Sequence, residues 1–157
     1  MPARDMAKPI YVLNGPNLNM LGQREPSVYG RDTLDDIARL TKARAALHGL
    51  VTDFRQSNSE GELVGWIQDA RDKASGIILN AGAFTHTSIA ILDALQAAEL
   101  PVIEVHLSNI FRREEFRQHS YVSLAAKGVI CGLGAKGYEL ALEAMADLVA
   151  KKSRGQA

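Results

Sequence analysis

The stretch GIILNAGAFTHTS, residues 76–88, contains the pattern from which the fold of this chain is predicted. Its first five residues form a mostly apolar run with the length of one β-strand, and a helical pattern follows from about Thr87 to Glu99. The small and polar residues between the two mark a loop. The stretch therefore predicts a strand, a loop and a helix in direct succession.

The same succession recurs on both sides of this stretch. Four further apolar runs predict strands at 10–13, 50–54, 101–106 and 128–131. Asp32 is predicted to cap a helix that ends near Gly49, and Ser59 with Glu62 resembles a capping box that opens a second helix. The last helix carries one apolar stripe, formed by Tyr138, Ala141, Leu142, Met145, Leu148 and Val149.

Strands that alternate with helices predict an α/β fold, because right-handed crossovers connect parallel strands. We expect a flavodoxin-like domain with a five-stranded parallel sheet and helices on both faces. The chain has 157 residues, which is one ordinary domain. We assign residues 9–150 to a single catalytic domain, 1–8 to a flexible N-terminal extension and 151–157 to a frayed tail.

Composition argues against several classes of partner. Lys and Arg together number 18, as do Asp and Glu, so the net charge of zero gives no bulk attraction to nucleic acid or to a membrane. The one cysteine, Cys131, excludes an internal disulfide and is expected to be inert core in a reducing compartment. The apolar runs are too short to span a bilayer, and the first eight residues lack the apolar core of a signal peptide. These features predict a cytoplasmic protein.

Polar residues follow the strands where a ligand of such a fold would bind. Ligands of open parallel sheets lie beyond the carboxyl ends of the strands. The predicted ends carry the following polar residues: Asn14 and Asn17 after the first strand, Asn80 and His86 after the third, and His106 and Ser108 after the fourth. No Walker motif or GxGxxG accompanies them, so nucleotide binding is weakly supported.

Each of these residues also has an ordinary structural explanation. Asn14 and Asn17 are residue types that form Asx turns, and Asn80 can cap the loop that follows it. A lone histidine such as His106 is more often a hydrogen-bonded core residue than a functional one. Glu104 lies on the same strand face two residues earlier, where it either orients His106 or neutralises it.

A long loop adjoins the same edge. The segment LGQREPSVYG, residues 21–30, leaves the end of the first strand and is broken by Pro26. Arg24 and Tyr29 taken alone are ordinary surface residues of a turn. Their position beside the other polar residues favours a function for them.

The motifs of the chain resemble those of type II 3-dehydroquinate dehydratases, in order from about Ile10 to Val149. The resemblance rests on these segments: Asn14-Gly15-Pro16-Asn17-Leu18-Asn19, Leu21-Gly22-x-Arg24-Glu25-Pro26-x-x-Tyr29-Gly30, Gln56-Ser57-Asn58-Ser59-Glu60-Gly61, Leu79-Asn80-Ala81-Gly82, Thr85-His86-Thr87-Ser88, Ile103-Glu104-Val105-His106-Leu107-Ser108-Asn109 and Arg113-Glu114-Glu115-Phe116-Arg117. The departures are the first eight residues and Met20, where the family often has leucine.

The resemblance implies anti elimination of water from 3-dehydroquinate to give 3-dehydroshikimate, without a cofactor or metal, in the shikimate pathway to chorismate and the aromatic amino acids. It assigns the residues as follows: Tyr29 as the base, His106 as the acid, Arg24 as support for the transition state, and Asn80, His86, Arg117 and the amides of Leu107 and Ser108 as substrate ligands. It also implies that Asp93 reaches the site of a neighbouring subunit in a trimer, and that trimers assemble into dodecamers.

The chemistry of an enolate intermediate suits these residue types. A tyrosine has a pKa near ~10, and an adjacent guanidinium favours its phenolate form. Asn17 can supply a donor to the enolate oxygen, directly or through a water molecule. Hydroxide is a poor leaving group, so His106 would protonate it while Glu104 keeps the imidazole charged.

Two other functions were weighed. A flavodoxin-like module that only binds a small anion would use the asparagines and glycines but would not need Arg24 with Tyr29. A hydrolase built on Ser108 and His106 is weakly supported, because the two are close together on an extended segment and no GxSxG elbow is present.

The helix after Thr87 bears on assembly. Its apolar stripe is predicted to pack on the sheet and consists of Ile91, Leu92, Leu95 and Ala98. Asp93 lies nearly opposite that stripe, on a face that also carries Ile89, Ala90 and Ala97. The residues alone favour an alanine-rich surface helix, whereas the resemblance makes this face a subunit contact.

Overall fold

A computed structural model describes residues 8–23, 25–29 and 31–155. Five strands are present: β1 (Ile10–Asn14), β2 (Thr52–Gln56), β3 (Gly76–Asn80), β4 (Val102–His106) and β5 (Gly128–Cys131). Five α-helices accompany them: α1 (Pro26–Tyr29), α2 (Leu34–Leu47), α3 (Glu60–Lys73), α4 (Ile89–Ala98) and α5 (Lys136–Ser153). Short 3₁₀ helices occupy Leu18–Met20, Gly82–His86, Ile110–Arg112, Glu115–Arg117 and Val122–Leu124.

All five strands pair in parallel, in the order β2-β1-β3-β4-β5. This order confirms the flavodoxin-like α/β fold. The chain runs from β1 outward to β2 and then returns to place β3 on the other side of β1, so the order reverses between β1 and β3. The register pairs Asn14 with Asn80 at that point, so both side chains lie at the same edge of the sheet.

The sheet is covered on both faces. Ile10 and Val12 pack with α2 and α5, whereas Tyr11 and Leu13 pack with α3 and α4. This two-sided burial explains why the central strands are almost continuously apolar. The predicted apolar stripe of α5 lies in the core that contains Ile10 and Val12. Among the described residues, no helix is both long enough and apolar enough to cross a bilayer.

The ends of some helices differ from the predictions. The N-cap of α2 is Thr33, not Asp32, because Thr33 and Asp36 exchange both bonds of a capping box. Ser59 accepts the Glu62 N–H at the start of α3, as predicted for one half of a capping box. Helix α5 continues to Ser153, three residues past the predicted limit of the domain.

The two edge strands also differ from what was predicted. Strand β2 begins two residues late, at Thr52, because the Leu50 N–H donates to Ala45 O and so belongs to the end of α2. Strand β2 lies at the edge of the sheet and is only half-buried, so it can carry polar residues such as Asp53 and Arg55. Cys131 is only half-buried on the edge strand β5, so the expectation of a core cysteine was wrong.

A close backbone contact brings the loops after β1 and β3 together. The Gly15 N–H donates to Asn80 O over 2.8 Å, and a Cβ atom at Gly15 would lie 2.3 Å from Ala81 O. No side chain fits at that distance, so glycine is required here. The contact joins the two loops whose next residues, Pro16 and Gly82, line the candidate site.

Candidate active site

A cavity of about 160 Å³ opens at the carboxyl edge of the sheet, between the loops that follow β1, β3 and β4. It is lined by seven of the predicted site residues: Asn17, Asn80, His86, His106, Leu107, Ser108 and Arg117. The loop after β5 contributes nothing to the lining among the described residues, since β5 lies at the far edge of the sheet.

Three predicted residues are not placed in this cavity by the structure. Arg24 lies outside the described residues, and of Tyr29 only the backbone is described, at the end of α1. Asp93 is exposed on α4 and does not line the cavity of its own subunit. The roles predicted for these three residues stay predictions.

His106 forms a buried pair with Glu104. The Glu104 side chain is fully buried and His106 is 5% exposed, and the imidazole Nε2 contacts Glu104 Oε2. Burial raises the pKa of the Glu104 carboxyl, but the hydrogen bond and charge of His106 and two serine hydroxyls outweigh that effect, so the pKa lies below its usual range. Because Nε2 is engaged, Nδ1 is the ring nitrogen left for a ligand in the cavity.

His86 has a different environment in the same cavity. Its Nδ1 lies 2.7 Å from His119 O, and since a carbonyl can only accept, Nδ1 carries the proton. Burial and the nearby charges of His106, Arg117 and Arg113 lower the pKa of His86 below its ordinary value, against the opposing effect of the His119 bond. A neutral ring with Nδ1 protonated leaves Nε2 as an acceptor for a ligand hydroxyl.

Asn80 is held by a chain of buried hydrogen bonds. Its Nδ2 donates to Tyr138 Oη over 2.9 Å, and that hydroxyl donates to Asn14 Oδ1 over 2.6 Å. The Asn80 Oδ1 accepts the Gly82 N–H at 3.2 Å, and Asn14 Nδ2 donates to Arg55 O at 2.9 Å. Asn14 is therefore a core hydrogen-bonding residue and not an Asx-turn residue. The same bonds fix the orientation of the Asn80 amide.

Tyr138→Phe should lower the free energy of unfolding by about 1–3 kcal/mol, because it leaves the buried Asn14 and Asn80 amides without their partner. Chemical denaturation measures the change. Tyr11→Phe is the matched control, because among the described residues the hydrogen bond of the Tyr11 hydroxyl is a long one, 3.4 Å from Arg55 Nη2. Equal losses of unfolding free energy in the two variants would contradict a stabilising contribution of the buried hydrogen bonds between Asn80, Tyr138 and Asn14.

Asn17 adopts a backbone conformation that few residues tolerate. Its φ of 70° and ψ of −4° are left-handed, a region that asparagine enters more readily than most side chains. Asn58 Oδ1 accepts the Asn17 N–H at 3.0 Å and the Gln56 Nε2–H at 3.1 Å, so Asn58, just after β2, holds this loop and is itself held by the last residue of β2. The turn places Asn17 at the rim of the cavity.

Sequence reasoning missed Arg113, which lines the cavity beside Arg117. Arg117 Nε lies 2.9 Å and Arg113 Nε 3.9 Å from Glu114 Oε2. The sequence did contain a clue, because Arg113 and Arg117 belong to the same motif after β4. Two guanidiniums, an amide-bearing turn and a neutral histidine together suit a small anion that carries hydroxyl groups.

Comparisons with known proteins agree with this geometry. The family model for class II dehydroquinases matches residues 8–146. A 3-dehydroquinate dehydratase of Caulobacter sp. (strain K31) is 59% identical over 144 residues, which cover 92% of this chain and 98% of that relative. One from Streptomyces avermitilis is 60% identical over 141 residues, 89% of each chain. The crystal structure of a type II dehydroquinase from Propionibacterium acnes has a TM-score of 0.86 and 50% identity, covering 90% of this chain and 98% of that one.

Proposed function

Because the chain belongs to the class II dehydroquinase family, we propose that it removes water from 3-dehydroquinate to give 3-dehydroshikimate, in the shikimate pathway to chorismate. It is a hydro-lyase by family. The observation that carries the proposal is a cavity in which a buried histidine–carboxylate pair faces two guanidiniums. Such a cavity offers an acid for a leaving hydroxyl and a positive field for an anionic substrate.

The substrate is held by its carboxylate and its hydroxyl groups. The backbone amides of Leu107 and Ser108 would take the carboxylate, as donors from the loop after β4. Arg117 adds a charge beside them, and His86 with Asn80 would bind hydroxyl groups. The acceptor at His86 Nε2 suits a hydroxyl donor.

The first chemical step is removal of a proton next to the ketone. Tyr29, as phenolate, takes this proton, and Arg24 stabilises the phenolate. Both residues belong to the segment of sequence between β1 and α2, and the first part of that segment borders the cavity through Leu18 and Leu21. The electron pair moves onto the ketone oxygen, and Asn17 stabilises the enolate through a direct or water-mediated hydrogen bond.

The second step expels the hydroxyl from the neighbouring carbon. The enolate re-forms the ketone, the new carbon–carbon double bond forms, and the carbon–oxygen bond breaks. His106 donates its proton to the departing oxygen, which leaves as water. Glu104 keeps the imidazole charged until then. Base and acid act on opposite faces of the ring, which gives anti elimination, and side chains carry every proton, so the step needs no cofactor.

A spectroscopic assay for the conjugated product tests the proposed function. The purified protein should convert 3-dehydroquinate both with and without a metal chelator. A protein that binds the substrate without converting it would be the small-anion module. Cleavage of an ester substrate that is lost on replacing Ser108 would indicate the hydrolase.

We also propose that the outer face of α4 joins subunits. Ile91, Leu95 and Ala98 are buried as predicted, and the opposite face exposes Ile89 and Asp93. Asp93 is the one carboxylate on this exposed face, whose other exposed residues are mostly apolar apart from Gln96, and this suits delivery of Asp93 to the site of a neighbour. The assembly is a trimer, and four trimers form a dodecamer.

Ala90→Arg should weaken assembly and lower activity together, because it places a bulky charge on this contact. Sedimentation of the unmodified protein should give a trimer or a multiple of three, and the variant should sediment as smaller species with reduced kcat. Ala43→Arg, on the exposed side of α2, is the matched control. A fully active monomer in either protein would leave Asp93 as an ordinary surface residue.

A further inference from the structure

The Glu104 carboxylate has more partners than a simple histidine–carboxylate pair requires. Besides His106, it accepts the Ser120 hydroxyl at Oε2 over 2.8 Å and the Ser123 hydroxyl at Oε1 over 2.5 Å. The carboxylate is fully buried. Each of its oxygens therefore has a hydroxyl donor supplied from a part of the chain beyond β4.

We infer that Ser123, assisted by Ser120, is a positioning residue for the catalytic acid: the two hydroxyls hold Glu104 as a carboxylate against His106, and so keep His106 as an imidazolium. This inference rests on the proposed function, in which His106 is the acid. Neither serine is among the described residues that line the cavity. Both act through Glu104.

The turn that carries these serines is anchored independently of Glu104. Val122 is fully buried in the core, and the Tyr121 N–H donates to Thr85 O over 2.8 Å. The Ser123 N–H also donates to Ser120 Oγ at 3.3 Å. The position of the hydroxyls is therefore fixed by contacts of the turn itself, so the donors to Glu104 are preorganised.

Burial is the physical reason for the two donors. A buried carboxylate without hydrogen bonds is costly, and it becomes neutral by taking a proton when one is near. Here the nearest proton is on His106, and its transfer would leave a neutral histidine that is a poor acid. Hydroxyl donors stabilise the carboxylate and so leave that proton on the imidazole.

The other charged groups near the pair make the donors more important. His86 of the Gly82–His86 turn, together with Arg113 and Arg117 of the segment after β4, lines the cavity that His106 faces. Glu114 offsets part of the charge of these two guanidiniums, since its Oε2 lies 2.9 Å from Arg117 Nε and 3.9 Å from Arg113 Nε. Among the described residues that line the cavity or contact the pair, Glu104 is the carboxylate that His106 contacts.

Ser123→Ala is the sharpest test, because Ser123 lies at the surface and its replacement need not disturb the core. We expect kcat to fall about tenfold with little change in KM, the effect of losing one hydrogen bond to a charged group. In ¹⁵N-histidine NMR of the free protein at neutral pH, the imidazolium fraction of His106 should decrease. Ser123→Thr, which keeps a hydroxyl, should restore both values.

Ser75→Ala is the matched control, since the Ser75 hydroxyl bonds only to Lys8 O, a backbone group remote from the cavity, among the bonds described. It should change neither readout. A folded Ser123→Ala protein with unchanged His106 ionisation overturns the inference, whatever its kcat. The NMR measurement needs no substrate. It therefore tests the effect of the Ser123 hydroxyl on His106 even if the protein fails to dehydrate 3-dehydroquinate.

Discussion

Tyr29→Phe is expected to lower kcat at least about 100-fold, the usual contribution of a general base, while the fold stays intact. Phenylalanine keeps the ring and removes the oxygen that accepts the substrate proton. Steady-state kinetics on 3-dehydroquinate measure the loss, and circular dichroism confirms the fold. Because the hydroxyl is needed in the transition state, kcat should fall more than KM rises.

Arg24→Lys provides the comparison for this result. Lysine keeps the charge but loses the planar fork, so we expect substrate binding with poor turnover. A rise in KM alone would make Arg24 a binding residue. Near-normal turnover of Tyr29→Phe would move the base to another group, and Tyr121 is the next candidate.

His106→Gln should lower kcat by about 100-fold or more, because no acid then protonates the departing hydroxyl. Glutamine is chosen because its amide can still donate to Glu104, whereas alanine would leave a buried carboxylate without that partner, which costs stability. Substrate affinity can be followed separately by calorimetry and should change little.

His119→Gln is the control for the second result. Its ring packs edge-on against Tyr121 at 4.6 Å between centroids, and its contact with His86 is made by the backbone carbonyl. We therefore expect nearly normal turnover. A His106→Gln enzyme with normal kcat would mean that another group, or water, protonates the leaving oxygen.

The two cavity histidines have different partners, in keeping with the different roles proposed for them. His106 contacts the buried Glu104 carboxylate through Nε2. His86 faces a carbonyl, and its burial and the cations around it lower its pKa. The residue type is the same, and the groups behind each ring determine its role.

The chain order of polar residues was enough to predict where the site lies. Apolar runs gave the order of strands and helices, and the carboxyl ends of parallel strands meet at one edge. Asn80, His86 and His106 were therefore assigned to a common site without coordinates, and Glu104 was placed beside His106 by strand periodicity. The roles of Arg24 and Tyr29 were assigned only through the resemblance, because no local periodicity predicts how a long loop is placed.

The tertiary structure alone decided which of these groups bond to one another. Tyr138 reaches Asn14 across 124 positions of the chain, and Ser120 and Ser123 reach Glu104 from a turn after β4. The strand order, and with it the reversal between β1 and β3, is likewise set by how the helices pack. Periodicity reports which face of an element is buried, but a hydrogen bond between distant residues depends on the register and packing of whole elements, which no local pattern contains.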